Sequence, residues 1–139
     1  MNAPLDGFVV VDLSAGIAGG YCTKMFADGG ASVIKVEAPE GDPLRAWSAS
    51  GAPVDVAAGG ALFSFLACSK RSVVVDPAGD LQAVEGLLAG ADAVVWSPGS
   101  RLAALDSLQP QRIYERHPHL VVTSITPFGL AGPWHERPA

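Results

Sequence analysis

Residues 9–37 read VVVDLSAGIAGGYCTKMFADGGASVIKVE. An apolar run closes on Asp12-Leu13-Ser14, a glycine-punctuated turn follows, then a helical pattern, then a second apolar run ending in Lys35-Val36-Glu37. Two parallel strands need a crossover helix between them, so this order describes a β-turn-α-β unit. Ligands of such units bind outside the carboxyl ends of the strands, which makes the loop after Leu13 the expected working edge.

Outward from this unit the pattern repeats. Apolar runs predict strands over 8–13, 33–36, 72–75, 93–96 and 120–126, and periodic segments predict helices over 17–28, 61–67, 81–88, 101–105 and 110–116. The helix over 17–28 is expected to turn Ile17, Tyr21, Met25 and Phe26 inward and to stop at Gly29-Gly30 in the left-handed conformation. Residues 38–60, rich in Pro, Gly, Ala and Ser, read as a long loop of the functional or mobile kind, holding Arg45 and Trp47. Alternation of strand and helix predicts an α/β fold: a Rossmann-like, open, mainly parallel sheet with helices on both faces.

Half of the 139 residues are apolar and only 17% are charged, the balance of a compact cytosolic domain. A net charge of −5 argues against a nucleic-acid binder, which needs a basic face. It leaves room for a small anion held by local cations and backbone N–H groups. No apolar run approaches the ~18 residues of a membrane span. The start, Met1-Asn2-Ala3-Pro4, lacks a basic leader, so export is not expected and a cytoplasmic location is. Cys22 and Cys68 form no CxxC pair and read as buried free thiols.

Several residues invite a chemical role. Asp12, at a strand end beside glycines, reads as a turn or capping carboxylate rather than a nucleophile. Gly16, Gly19 and Gly20 either let backbone approach a phosphate or serve turn geometry and close packing. Glu37 falls where a dinucleotide site places its ribose-binding acid, but G-x-x-G-G is not G-x-G-x-x-G, so a structural or surface role is favoured. Lys70-Arg71 and Arg45 suit either phosphate pairing or ordinary salt bridges. His117-Pro118-His119 does not complete a metal site and reads as a loop, so no metal is expected.

Ordered blocks along the whole chain carry a resemblance: Asp12-Leu13-Ser14, Ala18-Gly19, Tyr21-Cys22-Thr23, Gly30-Ala31 with Val33-Ile34-Lys35-Val36-Glu37, Gly41-Asp42-Pro43-Leu44-Arg45, Ser69-Lys70-Arg71-Ser72, Ala91-Asp92-Ala93, Pro98-Gly99, and Ser124-Ile125-Thr126-Pro127-Phe128-Gly129. Together they resemble the opening of the class III coenzyme A transferases, also called CaiB/BaiF. That family includes formyl-CoA transferase, carnitine CoA-transferase and α-methylacyl-CoA racemase. The resemblance implies that residues 1–139 are the N-terminal CoA-binding part of a longer fold, the family's large domain. It implies a substrate pair of acyl-CoA and small carboxylic acid, CoA as substrate rather than a bound cofactor, and an interlocked homodimer or a partner half. CoA contacts are implied at Ala18, Gly19, Arg45, Arg71, Val75, Trp96 and Ser97. The family's catalytic aspartate, which forms a mixed anhydride with the acyl group, follows the glycine-rich loop and lies beyond this chain, so no catalytic residue is expected here.

The chain departs from the family pattern at four places: Ile17 replaces a polar residue before Ala-Gly, Ala38 a basic residue after Val-Glu, Pro77-Ala78-Gly79 a lysine after the third strand, and Trp96-Ser97-Pro98-Gly99 lacks an arginine. Each lost charged contact is worth about 1.5–3 kcal/mol. Two other readings therefore stand beside the first: a degenerate, non-catalytic half that assembles with a partner, and a dinucleotide-binding oxidoreductase domain.

Overall fold

The structure is a computed structural model that describes residues 3–79, 81–135 and 137. Its elements run β1 Val9–Leu13, α1 Gly16–Asp28, β2 Ser32–Glu37, a 3-10 turn at Pro43–Ala46, α2 Ala61–Leu66, β3 Arg71–Val74, α3 Gln82–Ala89, β4 Ala93–Trp96, a second 3-10 turn at Asp106–Leu108, α4 Pro110–Arg116 and β5 Val121–Ser124. The five strands are all parallel, in the order β3-β2-β1-β4-β5. β1 is central, paired Val11 to Ile34 on one side and Val11 to Val94 on the other.

Alternating side chains of β1 divide the core. Val11 and Leu13 join Val94, Trp96, and Val84, Leu88 and Ile113 of α3 and α4. Val10 faces the other way, with Val33, Ala93, Val95 and Ala27 of α1. Helices thus cover both faces, as the alternation in sequence predicts. Val10 and Val11 are fully buried, the state expected of a central parallel strand.

Several local expectations are corrected. The stripe Ile17, Tyr21 and Met25 of α1 points outward; the buried face is Gly19, Gly20, Thr23, Lys24 and Ala27. Small residues win that face because they let the helix backbone come down onto β1: a Cβ on Gly19 would lie 2.2 Å from Ser14. Phe26 alone of the expected four is partly buried, stacked on Phe8 with ring centroids 6.2 Å apart. Gly30, with φ +97°, takes the left-handed conformation after α1, whereas Gly29 stays right-handed. β2 reaches Glu37 because Lys35 and Glu37 are buried with partners, not at a solvent edge. Residues 101–105 form hydrogen-bonded turns rather than a helix, with Ala104 N–H donating to Ser100 O and Leu105 N–H to Leu102 O. The 38–60 loop contains a short 3-10 turn, capped where Asp42 accepts from Leu44 N–H. Cys22 is half-buried and Cys68 exposed, so the expectation of burial fails for Cys68; both are free thiols.

Candidate functional site

β1 and β4 lie side by side, but their following connections leave in opposite directions: α1 covers one face and the chain after β4 the other. This is the topological switch point where open α/β sheets place ligands. A cleft of about 360 Å³ opens there. Ala15, Ile17, Ala18 and Gly19 form one wall, Ser97 and Pro98 a second, and Ile125, Thr126 and Pro127 a third. Among the described residues, none that lines it is charged.

Ser97 joins two of the walls. Its Oγ accepts from Ala15 N–H at 2.8 Å and donates to Ala15 O at 2.9 Å. Gly16, at φ +82°, then turns the chain into α1. α1 begins with no side-chain cap and no acid in its first turn. A 13-residue helix therefore presents an unshielded positive end to the cleft.

Beneath the turn lies a buried charge cluster. Asp12 and Lys35 are register partners on adjacent strands, on the face under α1. Asp12 is fully buried and its carboxylate receives four donors. Ser14 N–H (3.0 Å) and Ser14 Oγ (2.5 Å) donate to Oδ1; Thr23 Oγ1 (2.6 Å) and Lys70 Nζ (3.2 Å) donate to Oδ2. Lys70 gives its other two protons to Gly20 O (2.9 Å) and Thr23 Oγ1 (2.5 Å). Lys35 donates to Ser14 O at 2.9 Å and pairs with Asp42 at 2.7 Å, 4.0 Å from Asp12. Burial lowers the Lys70 pKa, against the opposing pull of Asp12. Burial and the Asp12 charge raise that of the Cys22 thiol, which makes Cys22 a poor nucleophile. With every lone-pair direction of Asp12 engaged and no exposure, its carboxylate cannot reach a substrate. It does close an Asx turn with Ser14, but its larger role is to anchor the turn to α1 and to the segment before β3.

A second cleft, about 320 Å³, opens beyond β2 and β3, with Glu37, Gly41, Arg45, Val56 and Val74 in its walls. Arg45 Nε and Nη2 bind both oxygens of Glu37, at 2.7 and 2.8 Å, and its guanidinium lies 4.2 Å over the Phe63 ring. Ser72 Oγ and Asp42 N–H also donate to Glu37. Burial works to raise the Glu37 pKa, but the bonds from Arg45, Ser72 and Asp42 outweigh it and bring it from 4.5 to about 2.

The residues expected from sequence divide accordingly. Ala18, Gly19 and Ser97 meet in the first cleft, and Arg45 stands at the second. Val75 is a core residue whose N–H donates to Glu37 O at 2.8 Å. Trp96 ends β4 inside the core, with its indole N–H buried and without a partner among the described residues. Arg71 opens β3 and donates to Ser32 Oγ at 2.6 Å, beside the amino end of β2 and away from both clefts. Lys70 is turned inward, so its cation is unavailable to a phosphate at the surface. His117 bonds Glu85 at 2.9 Å, beside the C-terminus of α4. Thr23, Lys35 and Asp42 were not foreseen. The one signal for Lys35 was its two-residue spacing from Glu37 within an apolar strand, which put both on one face.

Comparison with known proteins places this architecture. The chain is 37% identical over 142 residues to the succinate–glutarate CoA-transferase of Agrobacterium fabrum, covering 96% of this chain and 34% of that protein. It is 35% identical over 140 residues to human succinyl-CoA:glutarate CoA-transferase, covering 96% of this chain and 30% of the relative. A crystal structure of a CaiB/BaiF family protein from Brucella suis superposes with a TM-score of 0.80 at 36% identity, over 99% of this chain and 37% of that one. The chain thus spans about a third of the length of the relatives it matches. The family model described as CoA-transferase family III matches residues 5–139. With fold, sequence and switch-point cleft in agreement, the chain belongs to CoA-transferase family III.

Proposed function

We propose that this chain is the CoA-binding part of a transferase that moves CoA between an acyl-CoA and a carboxylic acid. The observation that carries this reading is the uncharged cleft at the β1–β4 switch point, closed on one side by the uncapped start of α1. Backbone at Ala18 and Gly19 lies against the thioester end of CoA, and Ser97 holds the facing loop at a fixed distance. The phosphates lie toward the second cleft, where Arg45 keeps Nη1 for a phosphate oxygen while Nε and Nη2 stay on Glu37. Val75, just after β3, and Trp96, at the end of β4, support the carboxyl ends of those strands from within the core. Arg71 serves the opposite edge of the sheet.

The chain contributes the cradle and not the nucleophile. Asp12, its one carboxylate at the first turn, is buried under four hydrogen bonds. The acyl-accepting carboxylate of the family chemistry comes from elsewhere in the assembled enzyme.

Titration of the purified chain with CoA by calorimetry tests the reading. One-site binding in the micromolar range is expected, and no heat up to millimolar CoA refutes it. That second result would favour the degenerate-half reading, which exposed apolar residues on the edge strands support: Val74 of β3 is 64% exposed and Val121 of β5 62%. The strand order is also that of dinucleotide-binding domains. Glu37, however, is held by Arg45, Ser72 and Asp42, not turned to a ribose. A change in NADH fluorescence on mixing would revive that alternative.

A further inference from the structure

The first cleft is notable for what its side chains offer a ligand. Ile17 stands on the first turn of α1, 52% exposed, opposite Pro98, Ile125 and Pro127. Among the described residues two side-chain hydroxyls enter the lining; that of Ser97 is engaged as donor and acceptor, and that of Thr126 as acceptor alone. Ser97 Oγ bonds both polar atoms of the Ala15 backbone, and Thr126 Oγ1 accepts from Gly129 N–H at 2.8 Å. The two lysines nearest in the fold, Lys35 and Lys70, lie under the turn with their protons given to Ser14, Asp42, Gly20, Thr23 and Asp12. An acyl chain entering here meets apolar surface on three sides. A carboxylate entering here meets no cation among the described lining residues and at most the one hydroxyl proton of Thr126, so it loses most of its hydration without replacement.

Resting on the CoA reading above, we infer that the acyl group seated in this cleft is an uncharged aliphatic or aryl monoacyl group, and that Ile17 selects it against an acyl group bearing a second carboxylate. The named relatives act on both chemical kinds: succinate and glutarate are dicarboxylates, while the cinnamoyl-CoA:phenyllactate CoA-transferase of Clostridium sporogenes, 30% identical over 135 residues, acts on aryl acids. The cleft of this chain fits the second kind. Helix-end potential at α1 serves one oxygen, and the thioester carbonyl occupies that place, so it does not supply a partner for a distal carboxylate.

The experiment compares the chain's affinity for CoA, hexanoyl-CoA and succinyl-CoA by calorimetry. Each methylene buried in the cleft strengthens binding by about fourfold, so hexanoyl-CoA is expected to bind at least about tenfold tighter than succinyl-CoA and than CoA itself. Ile17→Arg, at an exposed position that tolerates the change, is expected to bring the hexanoyl-to-succinyl ratio down by about tenfold; a thermal melt confirms that it folds. Equal or tighter binding of succinyl-CoA to the unmodified chain overturns the inference, as does an unchanged ratio in Ile17→Arg. CoA binding without acyl discrimination defeats the inference alone. Failure of all three ligands to bind defeats the CoA reading and the inference with it.

Discussion

Replacing Lys70 by Met tests whether the charge cluster under the first turn holds the site in place. The Lys70 side chain is 2% exposed and Asp12 is fully buried, 3.2 Å away. Their attraction at an effective dielectric of ~20 is about 5 kcal/mol. Part of this is offset by taking the ammonium out of water, which is why burial lowers the Lys70 pKa. Met keeps most of the stem volume but leaves Asp12 with Lys35, 4.0 Å away, as its remaining cation. Removing one partner of a buried pair costs about 3–5 kcal/mol, and Lys35 keeps the loss near the lower figure. Urea unfolding followed by far-ultraviolet circular dichroism reads this directly. A loss of about 3 kcal/mol moves the midpoint down by roughly 1–3 M at the slopes usual for small domains in urea. Lys70→Met with Asp12→Asn should lose less than the sum of the single changes, by at least about 1.5 kcal/mol. The pH response carries a sign. Because the folded pKa of Lys70 lies below 10.5, the unfolded chain binds more protons between the two values, and stability rises with pH across that window. Lys70→Met removes that rise. A loss under about 1 kcal/mol, or single changes that add within about 0.5 kcal/mol, refutes the view that this pair fastens the turn.

Three further perturbations probe neighbouring contacts. Gly19→Ala ordinarily favours a helix, yet here its Cβ would sit 2.2 Å from both Cβ and Oγ of Ser14, so a loss of about 1–3 kcal/mol and weaker CoA binding are expected. Ser14→Gly in the same chain should recover part of the stability, and wild-type stability in Gly19→Ala alone would show that the close approach is absent. For Glu37, folded near pKa 2 against 4.5 unfolded, the contribution is present above pH 4.5 and is lost as pH falls to about 2. That gap is worth about 3 kcal/mol at roughly 1.4 kcal/mol per unit, so Glu37→Gln should flatten the acid limb of the stability profile; parallel limbs would argue against it. Trp96→Phe removes a buried indole N–H with no partner among the described residues, a burden of about 1–3 kcal/mol, so stability should hold or rise despite the lost ring area. A loss above about 2 kcal/mol in urea melts would mean that the nitrogen is satisfied by a buried water.

The parts of this fold legible in the sequence are those where burial is uniform. β4 at Ala93–Trp96 and α4 at Pro110–Arg116 match their expected bounds, the first as an unbroken apolar run and the second behind a proline. Ala18, Gly19 and Ser97, named from the family resemblance, come together in the cleft at the strand ends, where glycine and proline turns follow β1 and β4. For the charged residues the sequence left phosphate pairing and salt bridges both open, and the structure shows the salt bridges of Lys70 and Arg45. In one dimension Lys70 and Arg71 are an exposed basic pair; in the fold one turns inward to Asp12 and the other to Ser32 on the far edge. Nothing local records that Asp12 and Lys35 face each other across adjacent strands, because a register is a property of two segments. α1 misled for a related reason. Apolar size suggested an inward Ile17, Tyr21 and Met25, but distance to the sheet is set by the smallest residues, and Gly19 and Gly20 permit the closer approach.

Charge is partitioned in this chain between structure and ligand, and that division bears on how a polyanion is held. Lys35, Lys70 and most of Arg45 are engaged by Asp12, Asp42 and Glu37, which fixes the carboxyl edge of β1 and β2 with paired charges. A turn held by saturated carboxylates moves little, so the start of α1 and the Ser97 loop keep their separation without a ligand to set it. The same saturation leaves the first cleft without a free cation, while Arg45 retains one amino group near the second. Under the proposed CoA reading, the uncharged first cleft takes the acyl end near β1 and β4 and leaves the phosphates toward β2 and β3. Reversing that placement would give up the apolar lining at Ile17 and Ile125 and set an acyl chain against the Glu37–Arg45 pair. On that reading orientation follows from where the buried pairs leave charge over, and the apolar lining at Ile17 belongs to the same division as the buried lysines beneath it.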